Sequence, residues 1–138
     1  MSITLEVDQP ITAEQFIELL ERSSLGERRP IEDKACMHGV VNNADLTVTA
    51  WDSSLLVGVA RNITDFHYAC YLSELAVDRA YQGAGIGKRL HALTQAQLGP
   101  RCKLILLAAP GADSYYAQLG YRRHESCWVL GPGQAVAR

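Results

Sequence analysis

The sequence lacks the features that mark metal-stabilised, membrane-spanning or nucleic-acid-binding proteins. It contains four cysteines but no CxxC pair, so the cysteine spacing indicates neither a zinc ribbon nor a redox dithiol. No stretch of about 18 apolar residues is available to cross a bilayer as a helix. The formal charge is −2 and no run of Lys or Arg exceeds two residues, which disfavours a surface that tracks phosphates along a nucleic acid. We therefore expect no metal, no membrane and no nucleic acid as partners.

Two His-x-x-Cys sequences come nearest to a metal-binding pattern. They pair His67 with Cys70 and His124 with Cys127. Both fall in segments that we predict to be strands, where residues i and i+3 point to opposite faces of the sheet. Neither pair can then share an ion, and we interpret the cysteines as reduced thiols.

Length and composition predict one globular domain. The chain has 138 residues, of which 48% are hydrophobic and 20% charged. A fold of this size buries roughly 65–70% of its unfolded surface and needs no disulfide or metal to hold it. No repeat or linker divides the chain, so we predict a single domain over residues 1–138, with an ordered core at about 2–131 and a frayed tail.

The start of the chain indicates a cytoplasmic protein. Its first residues, MSITLEVDQP, carry acidic side chains and no apolar stretch of roughly 7–15 residues, as a secretion signal would require. We expect the protein in the cytoplasm.

Periodicity in the first half of the chain predicts one strand and two helices. Apolar and polar residues alternate over residues 3–7. Thr12 and Gln15 form a capping box before an amphipathic stretch that ends near Arg22. A polar loop follows at residues 23–29, and a weaker apolar stripe predicts a second helix over residues 30–43.

The second half is predicted to be richer in strands. The predicted elements are a hairpin over residues 46–61, a strand at 68–77, a helix at 85–98, a strand at 103–109, a helix at 112–119 and a closing strand at 121–130. The resulting order, β-α-α-β-β-β-α-β-α-β, predicts an α/β (α+β) fold with a central mixed sheet and helices on both faces.

A glycine-rich turn between the strand at 68–77 and the helix at 85–98 is the most informative segment. A glycine-rich loop that opens a helix presents unpaired N–H groups and the positive end of the helix dipole to an anion, which predicts a phosphate site. A Walker loop is excluded because Gln82 replaces its first glycine and Arg89 follows Lys88 where Ser or Thr is needed. The dinucleotide fingerprint GxGxxG fails because Gly87 lies one residue out of register, which also disfavours a Rossmann-like nucleotide binder.

At this turn the chain resembles the GNAT superfamily of acyl-CoA-dependent N-acetyltransferases. The run LAVDRAYQGAGIGKRL is similar to the family's coenzyme A pyrophosphate motif, Gln-x-x-Gly-x-Gly, at residues 82–87. The stretch YAQLGY, from Tyr116 to Tyr121, resembles its second motif, Tyr-x-x-x-Gly-aromatic. The order of the elements also agrees, so the resemblance covers most of the chain and implies the GNAT fold. It further implies acetyl-CoA as co-substrate.

The resemblance also implies the residues that bind acetyl-CoA. The pyrophosphate would bind backbone amides of the loop, with Lys88 adding positive charge. The loop residues are Gln82, Gly83, Ala84, Gly85, Ile86 and Gly87. The pantetheine arm would lie along Leu75, Ala76 and Val77, and one amide there would face the thioester oxygen.

Two catalytic side chains follow from the same resemblance. Tyr116 matches the tyrosine that protonates the departing thiolate, with a core aromatic as the alternative interpretation. Glu74 is the candidate general base, and burial would raise its pKa toward neutrality. A salt-bridged strand acid is the alternative for Glu74. Asp65, His67 and His124 are weaker candidates for the base.

The function that we predict is transfer of an acetyl group from acetyl-CoA to a primary amine by direct attack in a ternary complex. A catalytically silent acyl-CoA-binding module that regulates a partner protein is the alternative. The family often has Asn at the position of Ala109, so a contact made by that Asn is absent or is supplied by backbone. An open sheet edge near residue 130 could pair two copies in a homodimer.

Overall fold

The structure of the protein, a computed structural model, describes residues 2–137, which form two compact units. The first unit ends at Leu107 and the second begins at Ala108. The strands are β1 (Ile3–Val7), β2 (Leu46–Asp52), β3 (Leu55–Thr64), β4 (Ala69–Val77) and β5 (Lys103–Ile105), and the helices are α1 (Ala13–Arg22), α2 (Lys34–Asn42), α3 (Ile86–Ala96) and α4 (Asp113–Gln118). Two short 3₁₀ helices, Ser24–Arg28 and Arg79–Tyr81, follow α1 and β4.

A five-stranded mixed sheet in the order β1-β2-β3-β4-β5 forms the centre of the first unit. Strands β1 to β4 pair antiparallel, while β4 and β5 pair in parallel. The predicted mixed sheet is confirmed.

Each face of the sheet is covered by helix. Helices α1 and α2 pack Phe16, Leu19 and Met37 against one face, with Val59 and Ala76 among the strand residues they cover. Because successive strand residues point to opposite faces, a second apolar cluster forms on the other side, where α3 packs. That cluster joins Ile86 and Leu90 to the buried strand residues Leu46, Val48, Ala50, Val57, Ala60 and Leu72. The prediction of helices on both faces is confirmed.

Side-chain caps mark where helices α1 and α2 begin. The Thr12 hydroxyl accepts the Gln15 amide and the Gln15 side chain accepts the Thr12 amide, which is the predicted capping box at the start of α1. Helix α2 begins at Lys34, later than predicted, because Asp33 caps it by accepting the Cys36 amide. The 3₁₀ helix Ser24–Arg28 lies within the segment predicted as a polar loop.

The predicted closing strand at residues 121–130 is wrong. These residues form neither helix nor strand, and Trp128, Val129 and Leu130 are 91%, 71% and 55% exposed. A segment with alternating apolar residues forms a strand only where it can pair with a neighbouring strand and bury its apolar face. Strand β5 is also shorter than predicted, since it ends at Ile105.

The reasoning that excluded the His-x-x-Cys pairs also needs correction. His67 lies in the loop between β3 and β4, and His124 lies in the irregular segment after α4, so neither residue is on a strand. Within residues 2–137 no group of three or more His, Cys, Asp or Glu side chains could hold a metal ion.

None of the helices in this part of the chain has the length and apolar character needed to cross a membrane. The single domain predicted over residues 1–138 stays a prediction, since the chain divides into two compact units.

Candidate active site

The glycine-rich loop leaves the start of α3 open on its outer side. Gly85 is the N-cap residue at φ +80°, and no side chain caps the helix. Gly83 also has a positive φ, +84°, a left-handed conformation that favours glycine. A Cβ built at either glycine would meet no atom within 4 Å. The start of α3 therefore has no side-chain cap, and the loop before it has room on its outer side, as an anion-binding helix start requires.

Side chains from distant elements contact Asp78 and Tyr81, which lie between β4 and this loop. Asp78 is buried, and its two carboxylate oxygens accept the Ala80 amide at 2.9 Å and Arg22 Nε at 2.7 Å. Arg22, in the last turn of α1, also donates to the Leu56 carbonyl. The Tyr81 hydroxyl donates to Asp52 Oδ2 at 2.5 Å, which raises the pKa of Tyr81. These contacts tie the loop to both α1 and the β2–β3 hairpin.

Strand β4 loses its partner on one edge just before the loop. Its parallel pairing with β5 joins residues 69–71 to residues 103–105 and goes no further. Within the first unit, no strand pairs with that edge of β4 from Leu72 to Val77. Leu75, Ala76 and Val77 lie on this stretch and lead directly to Asp78 and the loop. An extended ligand can therefore lie along the β4 backbone as an added strand does.

A bulge in β4 brings Glu74 to the face covered by α1 and α2. Arg61 pairs with Glu74 and Asn62 with Leu72, so Ser73 has no partner on β3 and the alternation of side chains shifts. Glu74 is buried and forms ion pairs with Arg61, through Nε, and with Arg29 Nε at 2.8 Å. The Ser73 hydroxyl donates to the same carboxylate at 2.8 Å.

The pKa of Glu74 is lowered, so the expectation that burial would raise it is wrong. Burial alone does raise the pKa of this carboxyl, and it is the largest single contribution. The hydrogen bond and charge of Arg61, together with the hydrogen bonds from Arg29 and Ser73, outweigh burial because they stabilise the carboxylate. Glu74 is therefore ionised at neutral pH and weakly basic.

Tyr116 lies in the second unit, on α4, and its side chain is half-buried. Its ring packs edge-on against Tyr115 at 5.2 Å and against Tyr121 at 5.5 Å between centroids. Burial, and secondarily Tyr115, raise the pKa of Tyr116, so its hydroxyl stays protonated at neutral pH.

Asp65 and His124, two of the weaker candidates for the base, accept hydrogen bonds from backbone amides. Asp65 Oδ1 accepts the amides of His67, Tyr68 and Ala69, and these bonds, that of Tyr68 foremost, lower the pKa of Asp65. This carboxylate closes the turn between β3 and β4. His124 Nδ1 accepts the Ser126 amide in the second unit. Lys88 is exposed in the first turn of α3, next to the glycine loop.

Comparison with known proteins identifies the family. Residues 9–129 match the family described as "Acetyltransferase (GNAT) domain", which is well over half of the chain. The chain belongs to the GNAT acetyltransferase family and is thereby placed among acyltransferases. The sequence has no match among curated proteins.

Solved structures show the same fold. A GNAT-family acetyltransferase from Streptococcus pneumoniae is 17% identical with a TM-score of 0.75, and the match covers 93% of this chain and 98% of that one. A ribosomal-protein-alanine N-acetyltransferase from Brucella melitensis is 20% identical with a TM-score of 0.72, over 96% and 100% of the two chains. An aminoglycoside N-acetyltransferase solved with CoA is 16% identical with a TM-score of 0.71, over 96% and 95%.

Sequence reasoning missed the arginines of this site. Arg29 and Arg61 are 45 and 13 residues from Glu74, and no local pattern indicates that they meet it. The members of the Arg22–Asp78 pair are further apart still, at 56 positions in the sequence. A local signal did exist for Asp78, because Asp two residues before an amide in a tight turn commonly accepts that amide.

Proposed function

We propose that this protein transfers an acetyl group from acetyl-CoA to a primary amine by direct attack in a ternary complex. The observation that carries the proposal is the continuity of two open binding surfaces. The unpartnered edge of β4, at residues 72–77, is joined by one short 3₁₀ helix to a glycine loop that has room on its outer side. One surface suits the amide groups of a pantetheine arm and the other suits a pyrophosphate.

In this proposal the protein's backbone supplies most of the binding. The amides of residues 82–87 hold the pyrophosphate, and Lys88 adds a positive charge beside them. Leu75, Ala76 and Val77 pair with pantetheine through their main chain. One amide of this stretch also donates to the thioester oxygen as negative charge develops there, an interaction typically worth about 3–4 kcal/mol of barrier.

The chemistry then requires two proton transfers. The amine nitrogen bonds to the carbonyl carbon, and the carbon–sulfur bond breaks as the tetrahedral intermediate collapses. Tyr116 is the proposed acid that protonates the departing thiolate, because its raised pKa keeps the hydroxyl protonated until then. The amine loses its proton to a base or to water.

Glu74 as that base stays a prediction, and its contacts favour the alternative of a salt-bridged strand acid. Both of its oxygens accept hydrogen bonds from guanidinium groups, and its pKa is lowered. A weak base of this kind takes a proton from an ammonium group only at a large energetic cost.

The test is release of free coenzyme A thiol from acetyl-CoA in the presence of a panel of amines. Thiol release that depends on both the protein and an amine supports the proposal. Calorimetric binding of acetyl-CoA without release for any amine would instead favour a silent acyl-CoA-binding module. Release that needs no amine would indicate hydrolysis and would reject the transfer.

A further inference from the structure

The charged cluster around the β4 bulge carries more positive than negative charge. It consists of Arg29, Arg61 and Glu74. Two guanidinium groups are opposed by one carboxylate, so the cluster has one net positive charge. Within residues 2–137 no second carboxylate lies within 4.0 Å of either guanidinium. An excess charge in a largely buried place is costly unless an anion reaches it.

Among the three side chains of the cluster, that of Arg29 is the most exposed to solvent. The side chain of Arg29 is 26% exposed, compared with 9% for Arg61 and 5% for Glu74. Arg29 donates through Nε to Glu74, through Nη2 to the Ser73 carbonyl at 2.9 Å and through Nη1 to the Arg28 carbonyl. A guanidinium has five N–H donors, so these three bonds leave two N–H groups for a ligand.

The cluster lies where the acceptor would meet the acetyl group, and this step rests on the proposed function. With pyrophosphate at residues 82–87 and pantetheine along Val77 to Leu75, the acyl end points toward Glu74 and the bulge at Ser73. Arg29 approaches this point from the segment between α1 and α2, directly after the 3₁₀ helix Ser24–Arg28. An acceptor that enters between this segment and β4 therefore contacts Arg29.

We propose that the acceptor is a small amine that also carries a carboxylate, such as a free amino acid, and that Arg29 binds that carboxylate. The acceptor's anionic group balances the excess charge of the cluster and forms charge-assisted hydrogen bonds with the two remaining N–H groups of Arg29. A polyamine would bring further positive charge to the same place and is disfavoured. The N-terminus of a peptide lacks the adjacent carboxylate and is disfavoured as well.

The experiment compares matched acceptors by acetyl-CoA-dependent thiol release. Each α-amino acid is paired with its α-amide, which keeps the amine but removes the negative charge and stands for a peptide N-terminus. We expect kcat/KM at least about tenfold higher for the acid, which corresponds to about 1.4 kcal/mol. Equal values, or a preference for amides or polyamines, would overturn the assignment, and this comparison needs no variant.

Variants then locate the selectivity. Arg29→Gln should lower kcat/KM for the acid at least about tenfold more than for the amide, and Arg29→Lys should keep part of the preference. Arg28→Gln is the matched control, because Arg28 is an exposed neighbour of the same charge and should leave the ratio unchanged. An equal loss on acid and amide in Arg29→Gln would assign Arg29 to structure alone. Amine-dependent release without acid selectivity overturns this inference but leaves the proposed transfer intact, whereas no release at all counts against the transfer itself.

Discussion

At the scale of single residues, Tyr116 and Glu74 differ in how their surroundings suit them to move a proton. Burial raises the pKa of Tyr116, so its hydroxyl is protonated at neutral pH and can donate a proton. Despite burial, two arginines and Ser73 lower the pKa of Glu74. Its carboxylate is therefore ionised at neutral pH, and its oxygens accept hydrogen bonds from these residues. The first environment fits an acid, and the second fits an ion-paired anchor.

Tyr116→Phe should reduce kcat by about 10²–10⁴-fold while the Kd for acetyl-CoA stays nearly the same, because only the proton donor is lost. The rate is measured by thiol release and the affinity by calorimetry. Tyr115→Phe is the control, since Tyr115 lies on the same helix, about 100° around its axis, and its ring packs against Tyr116. A wild-type rate in Tyr116→Phe, or an equal loss in both variants, would show that Tyr116 is a packing residue.

Glu74→Gln should leave the acidic limb of the pH profile of kcat/KM in place. A carboxyl whose pKa lies below its usual 4.5 is already ionised throughout the neutral range, so a limb near neutrality belongs to another group or to the amine. Full pH profiles of wild type and variant check this. Disappearance of the limb in the variant would restore Glu74 as the general base.

At the scale of elements, the glycine loop proposed as the phosphate site has a backbone that is open on its outer side and is fixed at its start by side-chain contacts. Gly83 and Gly85 take up conformations with positive φ and leave the outer side of the loop free. The Arg22–Asp78 ion pair and the Tyr81–Asp52 hydrogen bond hold the entrance. A phosphate site gains affinity when its amides are already oriented, because less ordering remains to be done on binding.

Gly85→Ala should raise the Kd for acetyl-CoA at least about tenfold, near 1.4 kcal/mol, since the added Cβ disfavours the positive φ and occupies the open side of the loop, where we propose that the phosphate binds. Gly133→Ala is a matched control, because Gly133 also has a positive φ and open space around it but lies outside the loop. Calorimetry on both folded variants gives the comparison. Equal affinities in the two variants would remove the loop from the binding site.

Tyr81→Phe tests the tether at the entrance of the loop. Removal of the hydroxyl frees the loop from Asp52, so we expect the Kd for acetyl-CoA to rise several-fold while kcat at saturation is unchanged. Tyr68→Phe serves as control, because Tyr68 is an exposed tyrosine that lies under Lys103 rather than near the loop. A fall in kcat without a change in affinity would contradict the tethering role.

At the scale of the whole molecule, the sequence predicted what short-range interactions determine. The capping box at Thr12 and the turn that needs glycine at residues 83 and 85 each depend on neighbours a few residues away, and both are present. The ion pairs of Glu74 join residues that are far apart in the chain, so the lowered pKa could not be predicted. The strand expected at residues 121–130 failed for the same reason, since alternation shows that a segment can be a strand but does not supply its partner.

The same long-range ion pairs predict how the stability of the whole protein depends on pH. Glu74 has a lower pKa in the folded state than its ordinary value of 4.5, so its contribution to stability is fully present above pH 4.5. It is lost as the pH falls through the folded-state pKa, where protonation leaves Arg29 and Arg61 without their counter-ion. Glu74→Gln should cost about 3 kcal/mol at pH 7, because it removes the carboxylate of a buried ion pair. Below pH 4.5 the free energies of unfolding of wild type and variant should converge.

Urea unfolding of both proteins at a series of pH values between 7 and 3 measures this convergence. Asp65 also has a lowered pKa and adds to the acid sensitivity of both proteins, so the difference between them isolates Glu74. Arg28→Gln, which removes a neighbouring exposed charge, should follow the wild-type curve. A difference between Glu74→Gln and wild type that stays constant down to pH 3 would mean that the stabilisation comes from packing and hydrogen bonds of the side chain, because only the ionised carboxylate loses its contribution on protonation.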